Sequence, residues 1–231
     1  MSKLSTKSSD SQGLTSEVIA AKLQNEIVMG ILRPGDRLGE VALAERFGVS
    51  RGPIRTSLKL LSEVGIVSIV PNSGARVRVM QRSDARALYE VRAALEAEAA
   101  MLAAQKASTK TTSRLGELLG QHAGEVQEHP KGAYLQAEGD RDFHLVIAEI
   151  AGSPIIERYL SRELYPQLSL LRVKHRFVTG RGAEALWEHQ RIAQAITQND
   201  PEVAKRLMYN HIRNSWGAIE AQLTEAERGS E

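Results

Sequence analysis

Three histidines and one aspartate occupy positions from which they could share a cation. Of the six histidines (His122, His129, His144, His175, His189 and His211), three fall on apolar faces of helix-patterned segments. His144 aligns with Ile147 and Ala151, His189 with Ile192 and Ile196, and His211 with Leu207 and Met208. Asp140 lies one helical turn before His144, and an i, i+4 pair puts a carboxylate oxygen and an imidazole nitrogen on one side of a helix. His189 and His211 flank Asn199-Asp200 at nearly equal sequence distance. At a rise of ~1.5 Å per residue each lies roughly 16 Å from that turn, so an antiparallel hairpin brings them level. Imidazole and carboxylate without thiolate suit Zn, Ni, Mn or Fe(II), with positions left over for water or a ligand carboxylate. Taken singly, each histidine reads more readily as a satisfied core residue than as a ligand. The matched heights favour the cation site.

A second constellation is basic. Arg51, Arg55 and Lys59 recur every four residues and line one helix face. Arg76 and Arg78 alternate with Val77 and Val79, which gives a strand one basic and one apolar face. The net charge of +2 conceals an asymmetry. Residues 1–79 hold 11 basic and 7 acidic side chains, the remainder 19 and 21. From Arg46 to Arg78 there are six basic residues (Arg46, Arg51, Arg55, Lys59, Arg76, Arg78) against Glu63 alone. Such a cluster in a small module points to a polyanion.

These side chains need elements to hold them. The chain of 231 residues is 42% apolar and 4% aromatic, rich in Ala and Leu, a balance that favours helix. The absence of cysteine excludes disulfides and thiolate metal sites. No apolar run approaches the roughly 20 residues of a membrane span. Residues 1–12 are polar and read as a flexible tail rather than a secretory signal, so a cytoplasmic protein with no membrane partner is expected. A first helix is expected over Leu14–Ile31, with Val18, Leu23, Ile27 and Ile31 inward, ended by Gly30 and Arg33-Pro34-Gly35. A short second helix follows over Glu40–Phe47, with Val41, Leu43, Ala44 and Phe47 available to the core. Gly48 then permits a tight turn, Ser50 caps the third helix and Pro53 sits in its first turn. That helix runs to about Val64, buries Ile54, Leu58 and Leu61, and ends at Gly65. Ile66–Val70 and Ala75–Val79, joined by Pro71–Gly74, form a hairpin. Three helices, a glycine turn before a basic helix and a basic hairpin after it make a winged helix-turn-helix over residues 13–80. Its third helix is expected to enter the major groove of double-stranded DNA, its arginines suited to guanine, while the wing meets the phosphate backbone.

From Ser83 the pattern is helix after helix: Ser83–Gln105, with Leu88, Val91, Leu95, Ala99 and Leu102 at spacings of three and four, then about 112–128, 132–151, 153–174, 184–198 and 201–223, divided by Gly- and Pro-containing breakers. The fold class is therefore mainly α, a winged helix-turn-helix followed by an antiparallel helical bundle over residues 83–225.

The run Pro34-Gly35-Asp36-Arg37-Leu38, the stretch Leu43-Ala44-Glu45-Arg46-Phe47-Gly48-Val49-Ser50-Arg51-Gly52-Pro53-Ile54-Arg55 and the spaced Leu58, Leu61, Gly65 and Gly74 resemble the GntR family of bacterial transcription regulators. Two departures stand out: Gly52 where the family usually has a side chain able to contact DNA, and Thr56-Ser57 in place of Glu-Ala. The second half resembles the FadR-type branch through Val91-Arg92, Leu95-Glu96, Asp140, Phe143-His144, Glu188-His189, Ile192, Ala195-Ile196, Asp200, Met208 and His211. Ser153 replaces a frequent asparagine. The resemblance implies an all-helical ligand domain, a divalent ion on Asp140, His144, His189 and His211, and a small organic acid at or beside it. Arg92, and more weakly Arg172, are then candidate carboxylate clamps; alternatively Arg92 forms a surface pair with Glu96. The implied DNA contacts are Ser50, Arg51, Arg55, Lys59, Gly74, Arg76 and Arg78.

The expectation is a homodimeric, sequence-specific regulator, a repressor by preference, whose operator binding responds to an organic acid. A homodimer follows because one module covers only one half-site. A regulator with a purely structural metal is the alternative. A metalloenzyme is disfavoured, because no carboxylate beside the ligands is marked out as a general base and a DNA module is unusual on an enzyme.

Overall fold

Two compact units divide the chain at Arg78 and Val79. The structure is a computed structural model that describes residues 14–128, 143–175 and 181–228. The tail at 1–12 and Asp140 lie outside them.

The first unit opens with α1 (Ser16–Val28), whose N-terminus is capped by the Thr15 hydroxyl accepting from the Val18 amide. Its inner face is Ile19, Ala20, Leu23 and Ile27. Val18 and Ile31, expected inside, are exposed, because the buried stripe runs through Ile19 and Ile31 lies beyond the helix end. A strand β1 (Arg37–Leu38), without a period long enough to read in sequence, precedes α2 (Glu40–Phe47). Leu43 and Ala44 are buried there, whereas Val41 faces out. Gly48 takes the left-handed conformation (φ 66°) that turns the chain into α3 (Arg51–Glu63). Ile54, Leu58 and Leu61 bury α3 against α1. Ser57 is also buried, its hydroxyl within reach of the Ser16 and Pro53 carbonyls (2.8 and 2.7 Å).

The wing is β2 (Val67–Val70) and β3 (Gly74–Val77), antiparallel, with β1 on the other side of β3. The loop is one residue shorter than the expected four. Asn72 (φ 63°) and Gly74 (φ 82°) take up the turn, and the Ser73 amide bonds the Val70 carbonyl. Ala75 and Val77 point inward and Arg76 outward. The second strand ends at Val77, so Val79 is exposed rather than part of an apolar strand face.

The second unit consists of α4 (Arg82–Gln105), α5 (Thr109–Glu128), α6 (Phe143–Ala151), α7 (Pro154–Arg158), a π-helical stretch (Tyr159–Leu164), α8 (Tyr165–His175), α9 (Arg181–Thr197) and α10 (Pro201–Arg228). From α7 to α8 the stretch is the single helix that the sequence suggests over 153–174, wound looser in the middle. The long α4 packs along α10, α6 and α9, and α5 packs on α9 and α6. Their shared core is built from small residues of α4 (Ala93, Ala99, Ala100, Ala103) against Phe143, Ile147, Ile192, Ile196, Met208 and Ile212. Alanines on α4 let the helices approach closely enough for opposed side chains to meet across the interior. Val91 faces solvent, because the buried stripe of α4 passes through Arg92, Ala93, Glu96 and Ala97. The turn between α9 and α10 uses Asn199 (φ 56°), and the Asp200 carboxylate caps α10 at the Val203 amide (3.2 Å).

Candidate nucleic-acid interface and candidate metal centre

On α3 the exposed basic side chains are tied down. Arg51 Nη2 donates to Glu40 Oε2 at 2.9 Å, and Arg55 reaches Glu40 through Nε (3.2 Å) and Nη2 (3.0 Å). Glu40, at the start of α2, is the residue that sequence reasoning missed. Hydrogen bonds from Arg55 and then Arg51 hold its carboxyl at about 2, against an ordinary 4.5. Lys59 pairs loosely with Glu63 at 3.9 Å. Arg46, counted with the basic cluster, is bonded to Glu26 on α1 and packs over Phe47. All these pairs lie at the surface, where such bridges contribute little, so a phosphate or a base edge can displace them. Ser50 holds the N-cap position of α3, but its hydroxyl makes no cap bond. The wing arginines lean on backbone carbonyls, Arg76 on Gly35 (3.0 Å) and Arg78 on Gly65 (3.4 Å). A Cβ at Gly52 would meet only the Ser50 hydroxyl at 3.9 Å, so the missing side chain on α3 leaves open space.

In the second unit His144 (α6), His189 (α9) and His211 (α10) converge. One nitrogen from each lies within 4.8 Å of the others, and all three rings are buried. The levelling expected of the α9–α10 hairpin is seen, for the Nε2 atoms of His189 and His211 are 3.1 Å apart. Phe143 stacks on the His189 ring at 4.1 Å. Burial pushes His211 down to about 4, partly offset by its bond to Glu188, and pushes His189 well below the ordinary value, with His211 and His144 adding to the effect. Both rings are therefore neutral near pH 7, with a lone pair to offer. A buried three-imidazole set fits a divalent ion. Asp140, the fourth residue of the expected set, lies outside the described residues.

Two carboxylates that the sequence does not mark stand beside these rings. Glu96 on α4 lies 2.5 Å from His144 Nδ1, and Glu188 on α9 lies 2.7 Å from His211 Nδ1. Arg92 does pair with Glu96, at 2.6 Å, but inside the bundle rather than on its surface. Tyr165 adds its hydroxyl to Glu96 at 3.2 Å and meets Arg92 at 3.5 Å. Glu188 takes bonds from Arg181 (2.6 Å) and Asn214 (2.7 Å). Burial raises both carboxyls, but their cationic and hydrogen-bonding partners outweigh it and hold each at about 2. His122 on α5 is buried with its ring 6.3 Å from that of His189. Arg172 lies in α8, with its side chain outside the described ones. The Arg92–Glu96 spacing was visible in sequence, and its inward phase could have been read from Ala85, Ala99 and Ala103. No sequence signal links Glu188 to His211, which belong to different helices.

Comparisons with known proteins agree with this architecture. Residues 15–77 match the model of the gntR family of bacterial regulatory proteins, and residues 87–214 match the FCD domain. The HTH-type transcriptional regulator LutR of Bacillus subtilis is 27% identical over 205 residues, 80% of this chain and 92% of that protein. The Uxu operon regulator of Haemophilus influenzae is 28% identical over 213 residues, 85% of this chain and 78% of that one. The solved structure of E. coli McbR/YncC shares the fold, with a TM-score of 0.72 at 21% identity over 90% of this chain and 97% of that one. Among the described residues, no helix is long and apolar enough to cross a membrane.

Proposed function

Because this chain belongs to the GntR family, carries the FCD domain of the FadR-type branch and is thus a DNA-binding transcription regulator, we propose that it is a homodimeric repressor released or retained by a small organic acid. The acid binds the second unit at or beside a divalent ion. The observation that carries this reading is the convergence of His144, His189 and His211 in the interior of a regulator's ligand domain. These three residues would hold the ion, with Asp140, four residues before His144 in sequence, as the fourth ligand. When bound, the ion supplies a Lewis-acidic centre with positions open to water or a carboxylate oxygen. Arg92 spends part of its guanidinium fork on Glu96 and Tyr165. Its remaining N–H groups are the candidate contact for the acid, with Arg172 the weaker second. A carboxylate arriving there competes with Glu96 for Arg92, and so gives the acid an interaction that differs between two states of α4.

On the DNA side, Arg51, Arg55 and Lys59 present α3 to the major groove. Arg76 and Arg78, with Ser50 and Gly74, meet the backbone. The two subunits of a dimer would read two half-sites. An enzymatic reading gains little from the carboxylates now seen beside the histidines. Glu96 and Glu188, held at about 2 by their partners, are poor proton acceptors near neutral pH.

The test is operator binding by fluorescence anisotropy with metal-loaded and chelated protein across a panel of mono-, di- and tricarboxylic acids. An acid that shifts operator affinity only in metal-loaded protein supports the reading. If metal binds and stabilises the protein but no acid alters operator affinity, the metal is structural. If the Arg51→Ala, Arg55→Ala double variant keeps sequence-specific binding, α3 is not the reading helix.

A further inference from the structure

We infer that Glu96 and Glu188 are positioning residues of the histidine cluster: each accepts the Nδ1–H of one histidine and so aims that ring's Nε2 at a shared metal position. The inference rests on the metal reading above and concerns residues that no family resemblance or comparison assigns to the site.

A carboxylate approaches an imidazole Nδ1 in two places. Glu96 Oε2 lies 2.5 Å from His144 Nδ1, while Glu96 Oε1 takes Arg92 Nε at 2.6 Å. Glu188 Oε2 lies 2.7 Å from His211 Nδ1 and 2.6 Å from Arg181 Nη2. Each is an arginine–carboxylate–imidazole chain, the first buried within the bundle and the second centred on the half-buried Glu188, and each joins two helices: α4 to α6 in the first case, α9 to α10 in the second. A carboxylate bonded to arginine has only acceptor oxygens to offer, so the shared proton resides on Nδ1 and the lone pair on Nε2. The outcome at His211 agrees, because its Nε2 is the atom that approaches His189, at 3.1 Å. His189 is oriented differently, by the face of Phe143 stacked on its ring. The anchoring is backed up on both sides. Tyr165 adds its hydroxyl to Glu96, Asn214 adds its amide to Glu188, and Ser215 shares Arg181 at 3.1 Å.

A carboxylate on the far nitrogen of a ligating histidine fixes tautomer and ring orientation and raises the basicity of the coordinating nitrogen. A glutamate–histidine contact that served only to brace two helices would leave metal affinity untouched.

The experiment uses the full chain and Co²⁺ as the probe. Long-range ¹⁵N–¹H spectra of the metal-free wild type should place the ring protons of His144 and His211 on Nδ1. Titration of Co²⁺ against a chromophoric chelator should show Glu96→Gln and Glu188→Gln each weakening binding by about 10- to 100-fold, with altered visible bands for the bound ion. The overturning results are an Nε2-protonated His144 or His211 in the wild type, or folded Gln variants that take Co²⁺ as tightly as the wild type. The tautomer measurement needs no variant and so stands even where a substitution impairs folding. A wild type that binds no Co²⁺ removes the metal reading itself; a wild type that binds with unaffected variants removes only the role of the glutamates.

Discussion

Loading the histidine cluster with metal should raise the unfolding temperature of the second unit by an amount that can be worked out in advance. His144, His189 and His211 come from three separate helices, and the last two are 22 residues apart in sequence. An unfolded chain does not assemble them, so the ion binds the folded state alone. At a free concentration about a hundredfold above its dissociation constant, it then adds roughly 2.7 kcal/mol. For a unit of this size each kcal/mol moves the midpoint by about 2–4 °C, which gives an expected rise of about 5–10 °C. The assay is thermal unfolding of protein stripped with chelator and reloaded with Zn, Ni, Mn or Fe(II), followed by helical circular dichroism. His189→Ala is the informative control. It opens a cavity beside Phe143 and His211 and lowers the metal-free midpoint, so the quantity compared is the metal-induced difference and not the absolute temperature. In that variant the difference should fall to near zero. A rise of equal size in His189→Ala and His211→Ala would place the ion elsewhere and refute the assignment.

Four further outcomes follow from the first unit. Arg51→Ala and Arg55→Ala should each cost about 1–3 kcal/mol of operator discrimination, read as loss of preference between cognate and mismatched sites. Lys59→Ala should instead weaken all DNA sequences alike and reduce the salt slope by about one, measured by titration in increasing salt. Glu40→Gln frees both arginines from their ion pairs and should strengthen non-specific binding. Because the Glu40 carboxyl is depressed from 4.5 to about 2, its pairs are complete above its unfolded value and fade only as pH falls towards 2. The ratio of wild-type to Glu40→Gln affinity should therefore stay constant from about pH 5 to 8, and a ratio that changes within that window would contradict the depressed value. Ile54→Ala, at a fully buried α3 position against α1, should destabilise the unit by about 2–5 kcal/mol in urea unfolding.

Much of this organisation lies open in the chain because local rules govern it. Breakers at Gly48, Gly65, Pro154 and Pro201 stand where elements begin or end. The four-residue spacing of Arg51, Arg55 and Lys59 defines one face whatever surrounds it. The near-equal distances of His189 and His211 from Asn199-Asp200 needed only helix rise and an antiparallel turn to predict their meeting. Phase was harder to read. Val18, Val41 and Val91 look as apolar as their buried neighbours, and only packing decided that Ile19, Leu43 and Ala93 face inward while they do not. The β1 strand is too short to carry a period, and it exists because β3 offers it an edge.

By itself, then, the amino-acid sequence determined the two-part architecture, the basic face of α3 and which histidines share a level, since each depends on spacing along one helix or one hairpin. The tertiary structure alone decided who holds whom: Glu40 on Arg51 and Arg55, Glu96 on His144, Glu188 on His211. In all four contacts the partners lie on different helices. Glu188 and His211 share a hairpin, yet their meeting depends on how α9 and α10 rotate against each other. A carboxylate next to a histidine in space leaves no periodic mark in sequence, because its position is set by helix packing and not by the geometry of a single helix.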